Sequence, residues 1–146
     1  VVVLLGPFVA PWHEVAPRLW MGSSRRAPDE RFQLVVSLSG RAAATTPPRT
    51  GVPELVVPLR DLWLVRVDRA GLDRAVAAVL EEHGRGGVVL VRCRQGQNRS
   101  GLVVGEVLAA LGHDRSGIVA TIRAARHGRC LDNPRFRAVV EGRRTS

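Results

Sequence analysis

Val88-Val89-Leu90-Val91-Arg92-Cys93-Arg94-Gln95-Gly96-Gln97-Asn98-Arg99-Ser100-Gly101-Leu102 reads as a strand, a turn and the start of a helix. The valines and leucine before Cys93 form the short apolar run that fills a buried strand. From Ser100 to Leu111 the residues are apolar on nearly all sides, which marks a central buried helix. A turn between the end of a strand and the start of a helix points successive backbone N–H groups at one place, and the helix dipole adds positive potential there. The segment therefore predicts an anion-binding nest. Gly96 lets the backbone come close to the anion without a Cβ in the way. Arg99 offers a planar, two-pronged guanidinium to two phosphate oxygens, which a lysine does not. Arg94, Gln95, Gly96, Gln97, Asn98 and Arg99 are thus the predicted phosphate-binding residues.

Cys93 opens the nest, where the N–H groups and the arginine favour the thiolate, the form that attacks. In-line attack on phosphorus gives a phosphocysteine and splits one hard hydrolysis into two displacements. Ser100 is placed to donate a hydrogen bond to the sulfur when it leaves in the second step. The departing oxygen gathers charge and needs a proton from a positioned acid. Asp61, in Pro58-Leu59-Arg60-Asp61, is expected to supply it. Asp68 lies nearer the start of a helix, where a carboxylate is explained by the helix N-terminus. The expected catalytic set is Cys93, Arg99, Asp61 and Ser100.

Working outward, short β-branched runs predict strands from Gln33 to Leu38 and from Glu54 to Val57, with a further one at Val1 to Leu5. The polar stretch from Ser39 to Thr50 is loop, because Thr45-Thr46-Pro47-Pro48 can continue neither ladder nor helix. Leu72, Ala75, Val76, Val79 and Leu80 make one helical face, which Gly84 and Gly86-Gly87 end. Another helix begins near Asp114 or Ser116, and a short last one follows Asn133-Pro134. Strands alternating with helices imply an α/β fold, a central mixed, mainly parallel sheet flanked by helices. With 146 residues, 45% of them hydrophobic, the chain fits one domain spanning residues 1–146.

The pattern Cys-x5-Arg-Ser from Cys93 to Ser100, between an apolar strand and an apolar helix, resembles the signature of the protein tyrosine phosphatase superfamily. Val15-Ala16-Pro17-Arg18-Leu19-Trp20-Met21-Gly22 resembles the entry strand pair of the dual-specificity phosphatases. Pro58 to Asp61 is similar to their general-acid loop, 32 residues before the cysteine, and Asn133-Pro134-Arg135-Phe136 to their closing Asn-x-x-Phe helix. The resemblance runs from about Val15 to Glu141 and implies the cysteine phosphatase fold. It also implies a small atypical enzyme acting on phosphorylated protein or peptide, with the Cys, Arg, Ser and Asp roles at 93, 99, 100 and 61. One departure stands out. The family usually has His directly before the cysteine, and here Arg92 would put a fixed cation beside the thiolate. The loop also lacks the lysines that similar enzymes acting on inositol lipids often carry, which disfavours a lipid substrate.

The net charge is +9, and all 22 basic residues are arginine. That usage reads as the coding bias of a GC-rich bacterium. The arginines are scattered and aromatics are only 4%, against a nucleic-acid surface with stacking residues. No run approaches a membrane span, and no basic flank or cleavage site marks a secretory signal, so the cytoplasm is expected. Two cysteines in a chain of this length suit a reducing compartment, with Cys130 a structural thiol. His13, His83, His113 and His127 lack metal-ligand spacing, so neither metal nor cofactor is expected. Arg126, near a helix end, reads as a surface arginine. Two other functions stay open: a phospho-binding module without turnover, and an RNA 5′-triphosphatase or nucleotide phosphatase on the same fold.

Overall fold

The computed structural model describes residues 10–40, 51–63 and 66–143. The strand expected at Val1 to Leu5 and most of the Ser39 to Thr50 loop lie outside them. Among the described residues there are five strands, β1 (Trp12–Ala16), β2 (Leu19–Ser23), β3 (Leu34–Ser37), β4 (Glu54–Val56) and β5 (Val89–Cys93). Four helices accompany them, α1 (Arg69–Gly84), α2 (Arg99–Ala110), α3 (Arg115–Ala125) and α4 (Pro134–Val140). The strands form one sheet in the order β1-β2-β5-β3-β4. Only β1 runs antiparallel to its neighbour, so the sheet is mixed and mainly parallel. No described helix is long and apolar enough to cross a membrane.

β5 lies at the centre, paired with β2 on one side and β3 on the other, and every one of its five residues is buried. A parallel strand in that position needs cover on both faces, hence the apolar run from Val88 to Val91 that only Arg92 interrupts before Cys93. Successive side chains point to opposite faces. Val89, Val91 and Cys93 join the main core beneath the helices, with Leu102, Val103 and Leu108 of α2 and Ile118 and Ile122 of α3. Leu90 joins a smaller cluster on the other face with Trp12, Phe32 and Val35. Arg92 shares that second face, because it sits one residue before Cys93.

α2 is the most buried helix, as its all-round apolar sequence predicts, and Gly105 lets α4 cross it closely. A Cβ at Gly105 would meet the Val140 side chain at 2.7 Å. The helix starts are locally encoded. Asp68 caps α1 by accepting from Gly71 N, and Asp114 rather than Ser116 is the N-cap of α3. Asn133 caps α4 with Pro134 following it. Arg115 joins α3 to both α2 and α4. It pairs with Glu106 at 2.6 Å and donates to the carbonyls of Val139 and Val140 at the end of α4. The bond to Glu106 holds the Arg115 guanidinium above its ordinary value.

Candidate active site

β5 ends at Cys93 and α2 begins at Arg99, so the intervening residues turn at the C-terminal edge of the sheet. That edge is tied to its neighbours, since Leu38 N donates to Arg92 O and Ser24 N to Cys93 O, both at 2.9 Å. A cavity of about 250 Å³ opens there, lined by Asp61, Cys93, Arg94, Gln95, Gln97, Asn98 and Arg99. A larger hollow of about 400 Å³ beside α1 and α2 has Asp73, Glu106 and His113 on its wall and no nucleophile. Cys93 is only 2% exposed, yet its surface forms part of the smaller cavity's wall. Its Sγ lies 3.4 Å from Ser100 Oγ, within hydrogen-bond reach. As a thiolate the sulfur would accept from that hydroxyl.

The loop is gripped from outside. Arg126 Nε donates to Gly96 O at 2.7 Å and its NH2 group to Gln95 O at 3.2 Å, while Leu131 N donates to Gln97 O at 3.3 Å. In a trans peptide the N–H lies opposite the C=O. Holding three successive carbonyls outward therefore turns the N–H groups of Gly96, Gln97 and Asn98 the other way, as an anion nest requires. Gly96 has φ +68°, and a Cβ there would meet the Gly22 carbonyl carbon at 2.4 Å, so the position demands glycine twice over.

Arg99 lines the cavity and donates from NH1 to Leu59 O at 3.3 Å, while its buried Nε has no partner among the described residues. As a residue of the cavity wall, Arg99 brings a planar, two-pronged donor suited to an oxyanion. Asp61 reaches the same cavity from the segment after β4. Its Oδ2 accepts from Asn98 Nδ2 at 3.1 Å and its Oδ1 from Asn133 Nδ2 at 2.9 Å. The four residues expected to carry the chemistry are thus brought together, and Asp68 is engaged at its helix cap.

Two arginines differ from expectation. Arg92 does not face the sulfur. Its Nε donates to Ser37 Oγ at 2.9 Å, its NH2 group to Glu54 Oε2 at 2.8 Å and its NH1 group to Arg26 O at 3.5 Å, all on the opposite face of the sheet. Strand alternation is the reason. Arg126 is not a surface arginine, for besides the loop carbonyls it donates to Ala10 O at 3.2 Å and lies 2.8 Å from His13 Nδ1. Burial lowers its pKa from the ordinary arginine value. Burial and then Arg126 lower His13 and His127 as well. Cys130 is fully buried and its thiol is pushed up by that burial, as befits a structural thiol. Asn133, expected only at the start of the closing Asn-x-x-Phe helix, also reaches the site through its bond to Asp61; a helix-start pattern carries no sign of that second bond.

No protein-family model matches the chain, and no curated protein does. Solved structures do. Human DUSP28 is 28% identical, with 91% of this chain and 92% of that one covered at a TM-score of 0.76. A mouse protein assigned as a dual specificity phosphatase, crystallised with zinc tungstate, is 27% identical over 90% of this chain and 87% of its own, with a TM-score of 0.75. The chain has the dual-specificity phosphatase fold. That fold also serves the human tyrosine phosphatase-like serine/threonine/tyrosine-interacting protein, 16% identical over 90% of this chain and 93% of that one, at a TM-score of 0.71. At that identity only the frame is shared. Turnover within the dual-specificity phosphatase fold is therefore a matter for the residues at the cavity.

Proposed function

We propose that this chain is a single catalytic domain that hydrolyses phosphate monoesters on protein, on tyrosine with serine and threonine also admitted, through a phosphocysteine intermediate. The observation that carries the reading is the shared cavity: Cys93, Arg99 and Asp61 line one space, and Ser100 Oγ lies within hydrogen-bond reach of the Cys93 sulfur. The zinc tungstate complex of the mouse neighbour is in keeping, since tungstate is an oxyanion like phosphate. In the first step the Cys93 thiolate forms an S–P bond while the P–O bond to the substrate breaks. The electron pair goes to the leaving oxygen, which takes a proton from Asp61. Arg99 and the loop N–H groups hold the three remaining oxygens through the loose transition state. In the second step water attacks phosphorus, Asp61 recovers a proton from it, and the S–P bond breaks. Ser100 then donates to the returning thiolate.

The test is turnover of an aryl phosphate by the purified chain, with Cys93→Ser as control. Turnover lost in the control is expected, and no turnover in the parent overturns the reading in favour of a binding module. Phosphotyrosine peptide against RNA bearing a 5′-triphosphate decides the substrate class; preference for the RNA would replace protein with nucleic acid.

A further inference from the structure

We propose that Asn98 and Asn133 are positioning residues that preset the Asp61 carboxyl group for proton transfer, an inference that rests on the phosphatase reading above. Each asparagine donates from its side-chain amide to a different oxygen of Asp61, at 3.1 and 2.9 Å. Two bonds to two oxygens fix the plane of the carboxyl group as well as its place. The donors are themselves immobilised. Asn98 Oδ1 accepts from Asn133 N at 2.9 Å, and Asn133 Oδ1 accepts from Arg135 N and Phe136 N at 3.0 and 3.3 Å. Both asparagines are buried. Asn133 thus spends its oxygen on the cap of α4 and its amide on Asp61, and the trio joins three separate segments beside the cavity.

A carboxyl group has about four lone-pair sites, and the two amides take one on each oxygen, so a proton can occupy a remaining site without breaking either bond. A neutral amide can also hold the group in both protonation states, as an acid that becomes a base in the second step requires. With Asp61 already on the cavity wall, the acid is in place before substrate arrives.

Asn133→Ser separates the two roles of that residue. Serine caps a helix about as well as asparagine, but its side chain is too short to reach Asp61. The readout is the ratio of kcat/KM on phenyl phosphate, a poor leaving group, to that on nitrophenyl phosphate, a good one. Only the former depends strongly on the proton. The ratio should fall about tenfold, part of the roughly 10²–10⁴ that a general acid supplies. Adding Asn133→Ser to Asp61→Asn should lower the ratio no further, because the acid it positions is already gone. A merely structural role would lower both rates together, and an unchanged ratio in a folded variant overturns the proposal. Should Asn133→Ser melt below the assay temperature, Asn98→Ser is judged by the same ratio. If the unaltered chain turns over neither ester, the phosphatase reading falls and this proposal with it; an active parent with an unchanged ratio sinks the positioning role alone.

Discussion

Replacing Glu54 with leucine tests what Arg92 is for. The Arg92 side chain is 1% exposed and that of Glu54 18%, and their 2.8 Å contact is braced by Ser37 Oγ, which donates to Glu54 Oε2 at 2.6 Å. Breaking a buried ion pair from one side costs about 3–5 kcal/mol, because a charge is left uncompensated. Here the bonds of Arg92 to Ser37 and to the Arg26 carbonyl, which survive the change, reduce that to about 2–4 kcal/mol for Glu54→Leu. Arg92→Leu leaves a carboxylate that water partly reaches, at about 2–3 kcal/mol. The double variant puts two apolar side chains on the face that already holds Val35 and Leu90, and should lose only about 1 kcal/mol. The singles then exceed the double by about 3 kcal/mol or more, a coupling read from urea unfolding by linear extrapolation. Additive singles, with a coupling below about 0.5 kcal/mol, would refute the buried pair as the reason for Arg92. Alkylation of Cys93 by iodoacetamide in folded Arg92→Leu should stay close to the parent rate, since the guanidinium lies across the sheet from the sulfur.

Arg126→Met removes the bonds to Gly96 O and Gln95 O. A hydrogen bond to a charged group is worth about 1.5–3 kcal/mol, so tungstate affinity, measured calorimetrically on the Cys93→Ser background, should fall about tenfold to a hundredfold; equal affinity would refute the grip on the loop. Stability should also fall with acid, because burial first and Arg126 second hold His13 and His127 below the ordinary histidine value of 6.5. The unfolded chain then takes up protons before the folded one, so this contribution is full above pH 6.5 and is lost as the pH drops below it. The urea midpoint should be lower at about pH 5.5 than at about pH 7.5, with a smaller difference in His13→Gln; an unchanged difference would remove His13 from the account.

Features carried by neighbours in sequence were legible, and features carried across the fold were not. The run from Val88 to Leu102 announces strand and helix by its own apolar pattern, and Asn133-Pro134 announces a helix start, because capping bonds span two or three residues. The side of the sheet that Arg92 takes follows from strand parity, which puts it opposite Cys93, although adjacency in sequence had suggested a cation beside the thiolate. The partner of Arg92, Glu54, 38 residues away, was not legible. Nothing local distinguishes an arginine that will find a carboxylate across two strands from one that will face water. The same holds for Arg126 and the loop carbonyls 30 and 31 residues away, and for Asn133 and Asp61, 72 apart.

The connection from α3 to α4 gathers these long-range bonds into one device. Arg126 takes the carbonyls of Gln95 and Gly96, Leu131 N that of Gln97, and Asn133 N the side chain of Asn98. Four successive loop residues are thus shaped against one eight-residue segment, which Arg123 stiffens by donating to the carbonyls of Cys130 and Leu131. The arginine-only composition takes on a different meaning in this light. Arg18 donates to His83 O and Gly87 O, Arg99 to Leu59 O, Arg115 to two carbonyls at the end of α4, and Arg123 and Arg126 to two or more each. A guanidinium has five donors in a rigid fork and can bridge neighbouring carbonyls, whereas an ammonium is a point charge on a flexible stem. These five of the 22 arginines thus use their guanidinium groups to hold backbone in place, a task in which lysine could not replace them bond for bond.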